Sequence, residues 1–420
     1  MTMVEEVRVR LEAMTSEMIK LVQDLVSFPS TFGHEEHAQM YFAQQLRDMN
    51  GITEIWEPDI AVMRSHPAFV SGREDFSGSP VVCARFPGQG GGRSLLLCGH
   101  MDVVPPGAGS WGHDPWSGVY EDGRIYGRGS ADMKGGLACG IIAMKAIQAA
   151  GVALRGDVMI ASTVDEECGS TGALALVIKG LKADACIIPE PTGLEMNIAS
   201  TGSIWFKIRV RGQSAHAGMA YKGINSIQKA MLVIHGLKDL EETRRIRLMH
   251  PLYAHLPVPF CLNINTIRAG DWPAIVPAET IMEGRMGVSP EETIEEAKCE
   301  LETAIMRIAS GDPWLKDHVP EIEYLQCRWN SGLVSPDHPF SQVMATRVEE
   351  MTGEPVIFSG MGPCSDSGTL IRFAGIPSIN FGPRSMSMAH QTDEHVDLDS
   401  LMKTAQVIAA TILDWCGVAD

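Results

Sequence analysis

His100, Asp132, Glu166, Glu167, Glu190 and His390 are the residues of this 420-residue chain whose types and positions could do chemistry. Two histidines with several carboxylates, and no cysteine among them, suit zinc, with cobalt or manganese as alternatives. Five of the six would fit a pair of metal ions about 4 Å apart, with one carboxylate bridging and a water between. The candidates are scattered over nearly 300 positions, so the elements that carry them must bring them together.

The first of those elements is Leu95 to Gly107, LLLCGHMDVVPPG. Its unbroken apolar start is the signature of a strand buried on both faces of a parallel sheet, and it delivers His100 and Asp102 before two prolines stop it. In an extended segment residues two apart share a side. A metal-binding histidine usually donates its other N–H to a carboxylate, which this spacing would allow; a buried histidine bonded to a neighbouring acid has the same spacing. Three more runs follow the pattern. Val158 to Thr163 leads into Asp165, Glu166 and Glu167; Ala185 to Ile188 leads into Pro189 and Glu190; Ile376 to Phe381 leads through a loop to His390. Ligands bind at the carboxyl ends of the strands in open parallel sheets. Taken alone, Glu166 and Glu167 would read as a solvated acidic turn.

Around these runs the chain reads as α/β, a mostly parallel sheet with flanking helices. Helices are expected at Met18 to Val26, Ala38 to Met49, Lys134 to Ala149, Pro339 to Met351 and Leu401 to Trp415. A strand is expected at Pro80 to Arg85, and a hairpin at Val119 to Tyr126 turning at Asp122 and Gly123. The glycine loop 88–92 lacks a following Lys-Ser or Lys-Thr and is no phosphate cradle, and GHEEH at 33–37 is not HExxH, its two histidines reading as exposed. From Ser203 the texture changes. Strands at Ile204 to Val210, Cys261 to Ile267, Thr280 to Met286 and Glu321 to Arg328 alternate with helices at Ile224 to Leu240 and Pro290 to Ile308. That order, βαββαβ, is a ferredoxin-like α+β unit. The expected division is a discontinuous metal-binding domain, 1–202 and 332–420, and an insert domain, 203–331.

Hydrophobic residues at 45% with 20% charged describe a folded protein, and the length allows two or three domains. A net charge of −18, from 34 basic against 52 acidic residues, disfavours nucleic acid and anionic membranes as partners. Arg244, Arg245 and Arg247, beside Glu241 and Glu242, read as one helix end. Glu5 and Glu6 and the lack of a continuous apolar core argue against a signal peptide, and no stretch is apolar enough to span a bilayer. Several of the ten cysteines, Cys98, Cys139 and Cys186 among them, sit in apolar runs as small hydrophobes, which places the protein in a reducing cytoplasm.

The segments GHMDVVPPG, GRGSADMKGG, DEECGS, IPEPTG, SAHAG and AHQTDE occur in order over nearly the whole chain. Together they resemble the dinuclear zinc family of acetylornithine deacetylase, succinyl-diaminopimelate desuccinylase, aminoacylase and glutamate carboxypeptidase. The resemblance implies that His100 and Glu190 hold one metal, Glu167 and His390 the other, and Asp132 bridges both. It makes Asp102 the residue that orients the His100 ring and Glu166 the general acid and base, and it implies a cis peptide between Asp132 and Met133. His216 becomes a donor to the developing oxyanion, reaching in from a partner subunit or after domain closure, where the residue alone would read as structural. Arg285 matches the arginine for a substrate α-carboxylate, with a surface salt bridge as the alternative. One departure stands out: many members carry an asparagine in the insert loop where GDWPAIVP puts Ala274, so the contact made by that side chain elsewhere is in question.

The implied activity is metal-dependent hydrolysis of the amide bond of an N-acylated amino acid through a metal-bridging hydroxide. Glu166 would take the proton of the water and pass it to the leaving amine. The GDWP loop looks more like deacetylases of the acetylornithine type than like dipeptidases. A dipeptidase or carboxypeptidase of the same family is the first alternative, and a catalytically silent metal-binding module the second, although no base or ligand is missing. The family also implies a homodimer through the insert domain, whose Ile- and Val-rich strands could pair edge to edge.

Overall fold

The four apolar runs that lead into candidate ligands lie side by side. In the computed structural model, which describes residues 2–383 and 386–419, Leu95–His100 pairs in parallel with Val158–Thr163 on one side and Ala185–Ile188 on the other. Ser378–Asn380 then pairs in parallel with Ala185–Ile188. All four are buried along their whole length, which is why their sequences are continuously apolar rather than alternating. Because the four run the same way, their carboxyl ends reach one edge of the sheet.

Further strands, antiparallel to their neighbours except for one parallel pair, widen this central, mostly parallel sheet to nine strands among the described residues. Val81–Phe86 and then Ile52–Trp56 extend it beyond Val158–Thr163, and Met196–Ser200, Gly332–Leu333 and Phe358–Met361 extend the other side. The helices Gly135–Ala149 and Leu398–Cys416 pack against each other, and Thr15–Val26 packs on the first of them. Gly135–Ala149 is buried on nearly every side and needs small residues to approach the sheet. A Cβ at Gly136 would lie 2.0 Å from the Pro189 carbonyl oxygen, so only glycine lets the helix sit beside the strand end that carries Glu190.

The opening of the chain differs from expectation. A helix at Met3–Glu12, closed at its start by a Thr2–Glu5 capping box, precedes Thr15–Val26 and Glu36–Asp48. It buries only Val7 and Leu11, too thin a stripe to stand out in the sequence. The expected hairpin is present, with Asp122 and Gly123 both at positive φ between Tyr120–Glu121 and Arg124–Tyr126.

The residues above belong to one compact unit, Met1–Ser200, Gly332–Met361 and Ser365–Asp420; the second is Thr201–Ser331 with Gly362–Cys364. That last tripeptide, assigned to the first domain on sequence, joins the second unit, where the Thr201 hydroxyl donates to the Gly362 carbonyl. The second unit is an antiparallel four-stranded sheet ordered Leu262–Ala269, Glu279–Val288, Gly202–Arg211, Glu321–Trp329. Ile204, Phe206, Ile208 and Val210 point alternately inward against Val233 and Leu237 of helix Ser226–Arg247 and Leu301 and Ile305 of helix Ile294–Ser310. Arg244, Arg245 and Arg247 stand at one helix end, as read from sequence, but Arg244 is not solvated there. It is fully buried, paired with Glu292 and Glu300 and donating to the Gly287 carbonyl. Among the described residues no helix is long and apolar enough to cross a membrane.

Candidate metal centre

At the shared edge of the parallel strands, five of the sequence candidates converge. His100, the last residue of its strand, places Nε2 3.1 Å from Asp132 Oδ1 and 4.0 Å from Glu190 Oε1. His390 Nε2 lies 2.9 Å from Glu167 Oε1 and 3.6 Å from Asp132 Oδ2. Asp132 therefore turns one oxygen to each histidine. Two groups, His100 with Asp132 and Glu190, and Asp132 with Glu167 and His390, each bring their ligand atoms within 4.8 Å of one another. This donor set, two imidazoles and three carboxylates with one carboxylate common to both groups, fits a pair of divalent cations. Asp132 sits in the wide turn Ser130–Lys134, and its peptide bond to Met133 is cis.

Asp102 acts differently from the sequence reading. The chain leaves the strand after His100, so the group 2.8 Å from His100 Nδ1 is the Asp102 carbonyl, while the carboxylate lies 3.7 Å away. A proton on Nδ1, donated to that carbonyl, leaves Nε2 free to bind. The Asp102 carboxylate instead accepts the N–H groups of Glu166 at 3.2 Å and Glu167 at 3.1 Å, fixing the turn that carries both acids. The turn is held from behind as well. Asp165, at φ +65°, accepts from Arg73 and Thr171, and Arg73 also pairs with Glu35, which accepts from Ser79. In the GHEEH segment His34 and His37 are exposed, as read from sequence, whereas Glu35 between them is fully buried, with Arg73 compensating its charge.

Electrostatically the pocket holds more negative charge than its own cations balance. Burial pushes the Glu166 and Glu190 carboxyls well above the ordinary range, with the neighbouring carboxylates adding to the rise. Glu167 is raised by burial too. Burial alone would lower His100, but its bond to Asp132 and the charges of Asp102, Glu190 and Asp132 outweigh it and hold the ring protonated well above its usual value. Asp132 runs the other way: burial opposes its charge, while His100, His390 and Arg128 bring its carboxyl below the ordinary value. Divalent cations at the two groups would reverse this proton-holding.

Sequence reasoning did not single out several residues that surround these groups. Asp366 is buried, accepts from the Thr163 hydroxyl at 3.0 Å, and is raised by burial to about 6. Lys134 is wholly buried, donates to the Leu25 and Phe28 carbonyls, and is lowered by burial to about 7. Glu394 and Arg128 pair beneath Asp132. Arg128, Lys134 and Glu394 lie inside the motifs GRGSADMKGG and AHQTDE, which was their one visible signal.

His216 and Arg285 belong to the second unit. His216 is exposed and its Nδ1 accepts the Gly218 N–H at 3.1 Å, beside a loop in which Ala217 N–H donates to the Ala274 carbonyl. Arg285 is half-buried, with Nη2 4.0 Å from Cys364 Sγ, and forms no ion pair among the described residues.

Residues 96–414 match the profile of peptidase family M20/M25/M40. The chain belongs to that family. It is accordingly a hydrolase. It is 27% identical over 439 residues to the N-formyl-4-amino-5-aminomethyl-2-methylpyrimidine deformylase of Halalkalibacterium halodurans, covering 99% of this chain and 98% of that protein. It is 30% identical over 333 residues to the acetylornithine deacetylase of Edwardsiella ictaluri, covering 78% of this chain and 82% of the relative. Among solved structures, the Saccharomyces cerevisiae di-peptidase Dug1p superposes with a TM-score of 0.76 at 15% identity, over 99% of both chains.

Proposed function

We propose that this M20/M25/M40 hydrolase cleaves the amide bond of an N-acylated amino acid or a closely related N-acyl amine, releasing the acyl group from the amine. The observation that carries the reading is Asp132, shared by two histidine–carboxylate groups, with Glu166 buried beside them and belonging to neither. Two divalent cations, bound by His100, Asp132 and Glu190 and by Asp132, Glu167 and His390, would supply Lewis acidity that acidifies a water and offsets charge on the attacked carbonyl. Glu166, outside both groups, would move the protons. Its N–H is anchored on Asp102, and its burial suits a carboxyl that accepts the proton of the attacking water and returns it to the leaving nitrogen. His216 accepts through Nδ1, so its Nε2 carries the hydrogen and can donate to a developing oxyanion. Arg285, with no acidic partner among the described residues, offers its fork to a substrate carboxylate. The names of the deformylase and deacetylase relatives, both acyl-removing enzymes, support deacylation over peptide cleavage.

Zinc as the native metal and a cytoplasmic location are part of this proposal, the latter supported by Cys98, Cys139 and Cys186 packing as buried hydrophobes. So is a homodimer through the insert. The outer edge of strand Leu262–Ala269 pairs with no other strand among the described residues, which suits a second copy, and a monomer in sedimentation at micromolar concentration would count against it.

The test is turnover of the zinc-loaded protein on acetyl, formyl and succinyl amino acids and on simple dipeptides. Acylated substrates should be hydrolysed, chelation should abolish the rate, and zinc or cobalt should restore it. Glu166→Gln should lower kcat by about 10²–10⁴-fold with metal content unchanged. Hydrolysis that survives exhaustive chelation sinks the proposal, and turnover of dipeptides alone moves the protein to the exopeptidases.

A further inference from the structure

Four residues beyond His390, the same loop sends Glu394 under Asp132. Its carboxylate is fully buried; one oxygen accepts the N–H groups of Ala131 at 3.0 Å and Asp132 at 3.1 Å, and the other pairs with Arg128. The Glu394 carbonyl accepts the Gly127 N–H at 2.8 Å, and the chain then continues into His395–Asp397, which pairs with Arg124–Tyr126. Trp111 covers the arginine, with Cζ 5.2 Å from its ring centroid. His390 itself lies in no strand and sits at φ +60° with half its side chain exposed. Beyond it along the chain, Asp393 accepts the Gly112 N–H at 2.6 Å, and Glu394 ties the loop directly to the Asp132 turn.

We infer that Glu394, with Arg128, is a positioning pair that sets the register of the His390 loop against the Asp132 turn, and so governs the metal group Asp132–Glu167–His390 selectively. The inference rests on the functional reading above. Asp132 serves both groups, but the other group keeps His100 and Glu190, placed at and just beyond strand ends, whereas the loop-side group rests on this attachment for both Asp132 and His390. Side-chain length at 394 is then the critical variable. Aspartate keeps the charge opposite Arg128 but is one methylene short of the two N–H groups. Glutamine keeps the length and an accepting oxygen but leaves Arg128 without its charge partner.

The experiment is calorimetric titration of metal-stripped, full-length protein with zinc, comparing wild type, Glu394→Asp and Glu394→Gln, with His390→Ala identifying the loop-side equivalent. Wild type should take two equivalents. Glu394→Asp should weaken the loop-side equivalent by about 10–100-fold and leave the other within about threefold. Glu394→Gln should melt lower than Glu394→Asp yet shift both equivalents together by less than about tenfold. Should Glu394→Asp fail to fold, Arg128→Lys, which keeps the charge and loses the fork, reads the same selective loss. Both equivalents retained at wild-type affinity in the aspartate variant, or both weakened alike, overturns the inference. A wild type that binds no metal overturns the functional reading and this inference with it, whereas a wild type that binds two and hydrolyses amides isolates a failure to Glu394.

Discussion

The two halves of the candidate centre are built from the same residue types on unlike supports. His100 and Glu190 are buried at the ends of adjacent parallel strands, and the ring of His100 is further held by the Asp102 carbonyl. His390 stands on a loop with 47% of its side chain exposed, against 1% for His100. Sheet hydrogen bonds keep the first half in place before any ligand arrives, which lowers the ordering cost of binding. The second half must be ordered at the moment of binding or held by attachments such as Glu394. The lesson is that a symmetric set of ligands need not be a symmetric site: one half is a rigid floor, the other an adjustable wall.

Asp132→Ala should break the comparison altogether, because Asp132 gives one oxygen to each half. Loss of both ions is expected, with hydrolysis falling by at least about 10³-fold, since metal charge stabilisation is worth several kcal/mol. Metal analysis after gel filtration checks this. A variant that keeps one tight equivalent would show that the halves do not share this carboxylate.

Replacing each histidine in turn sharpens the comparison. In the metal-free protein His100→Ala leaves Asp132 and Glu190 buried without their partner and should cost about 3 kcal/mol or more. His390→Ala removes a ring half open to solvent from the largely buried Glu167 and should cost less, about 1–2 kcal/mol. Thermal melts in chelator separate the two, and equal losses would mean that the loop-borne half is as constrained as the strand-borne one.

What the sequence showed follows the same division. Val158–Thr163 and Ala185–Ile188 were readable to the residue because burial on both faces leaves a continuous apolar run. His100, Glu167 and Glu190 were readable because each stands where or just after such a run stops, whereas Asp132 and His390 were legible through their motifs. Short strands such as Met196–Ser200 and Phe358–Met361 were not, since their neighbours in the sheet come from distant parts of the chain. The supporting charges were hidden for a related reason. Glu35 and Arg73 are 38 positions apart and Arg128 and Glu394 are 266 apart, so each looks like an exposed charge until its partner is known. Asp102 was placed beside His100 on strand spacing, and the spacing fails because the strand ends at His100, two residues before Asp102.

The smallest expected effect probes the rigid half from beneath. Asp366 reaches the end of strand Val158–Thr163 through the Thr163 hydroxyl. Burial raises its carboxyl from the ordinary 3.8 to about 6, against the lowering influence of His100 and of that hydroxyl. A carboxyl raised on folding takes up a proton that the unfolded chain has released, so its contribution to stability is full below about pH 4. That contribution is lost as pH rises to about 6 and is level above it. Asparagine does not titrate. In chelator, the Tm of Asp366→Asn minus that of wild type should therefore grow between pH 4 and pH 7 by about 2 °C or more, whatever the absolute effect of the substitution. A difference that shrinks with pH would mean that Asp366 is held as an anion by the protonated His100, and that the strand-borne half meets its first cation with one more negative charge already in place.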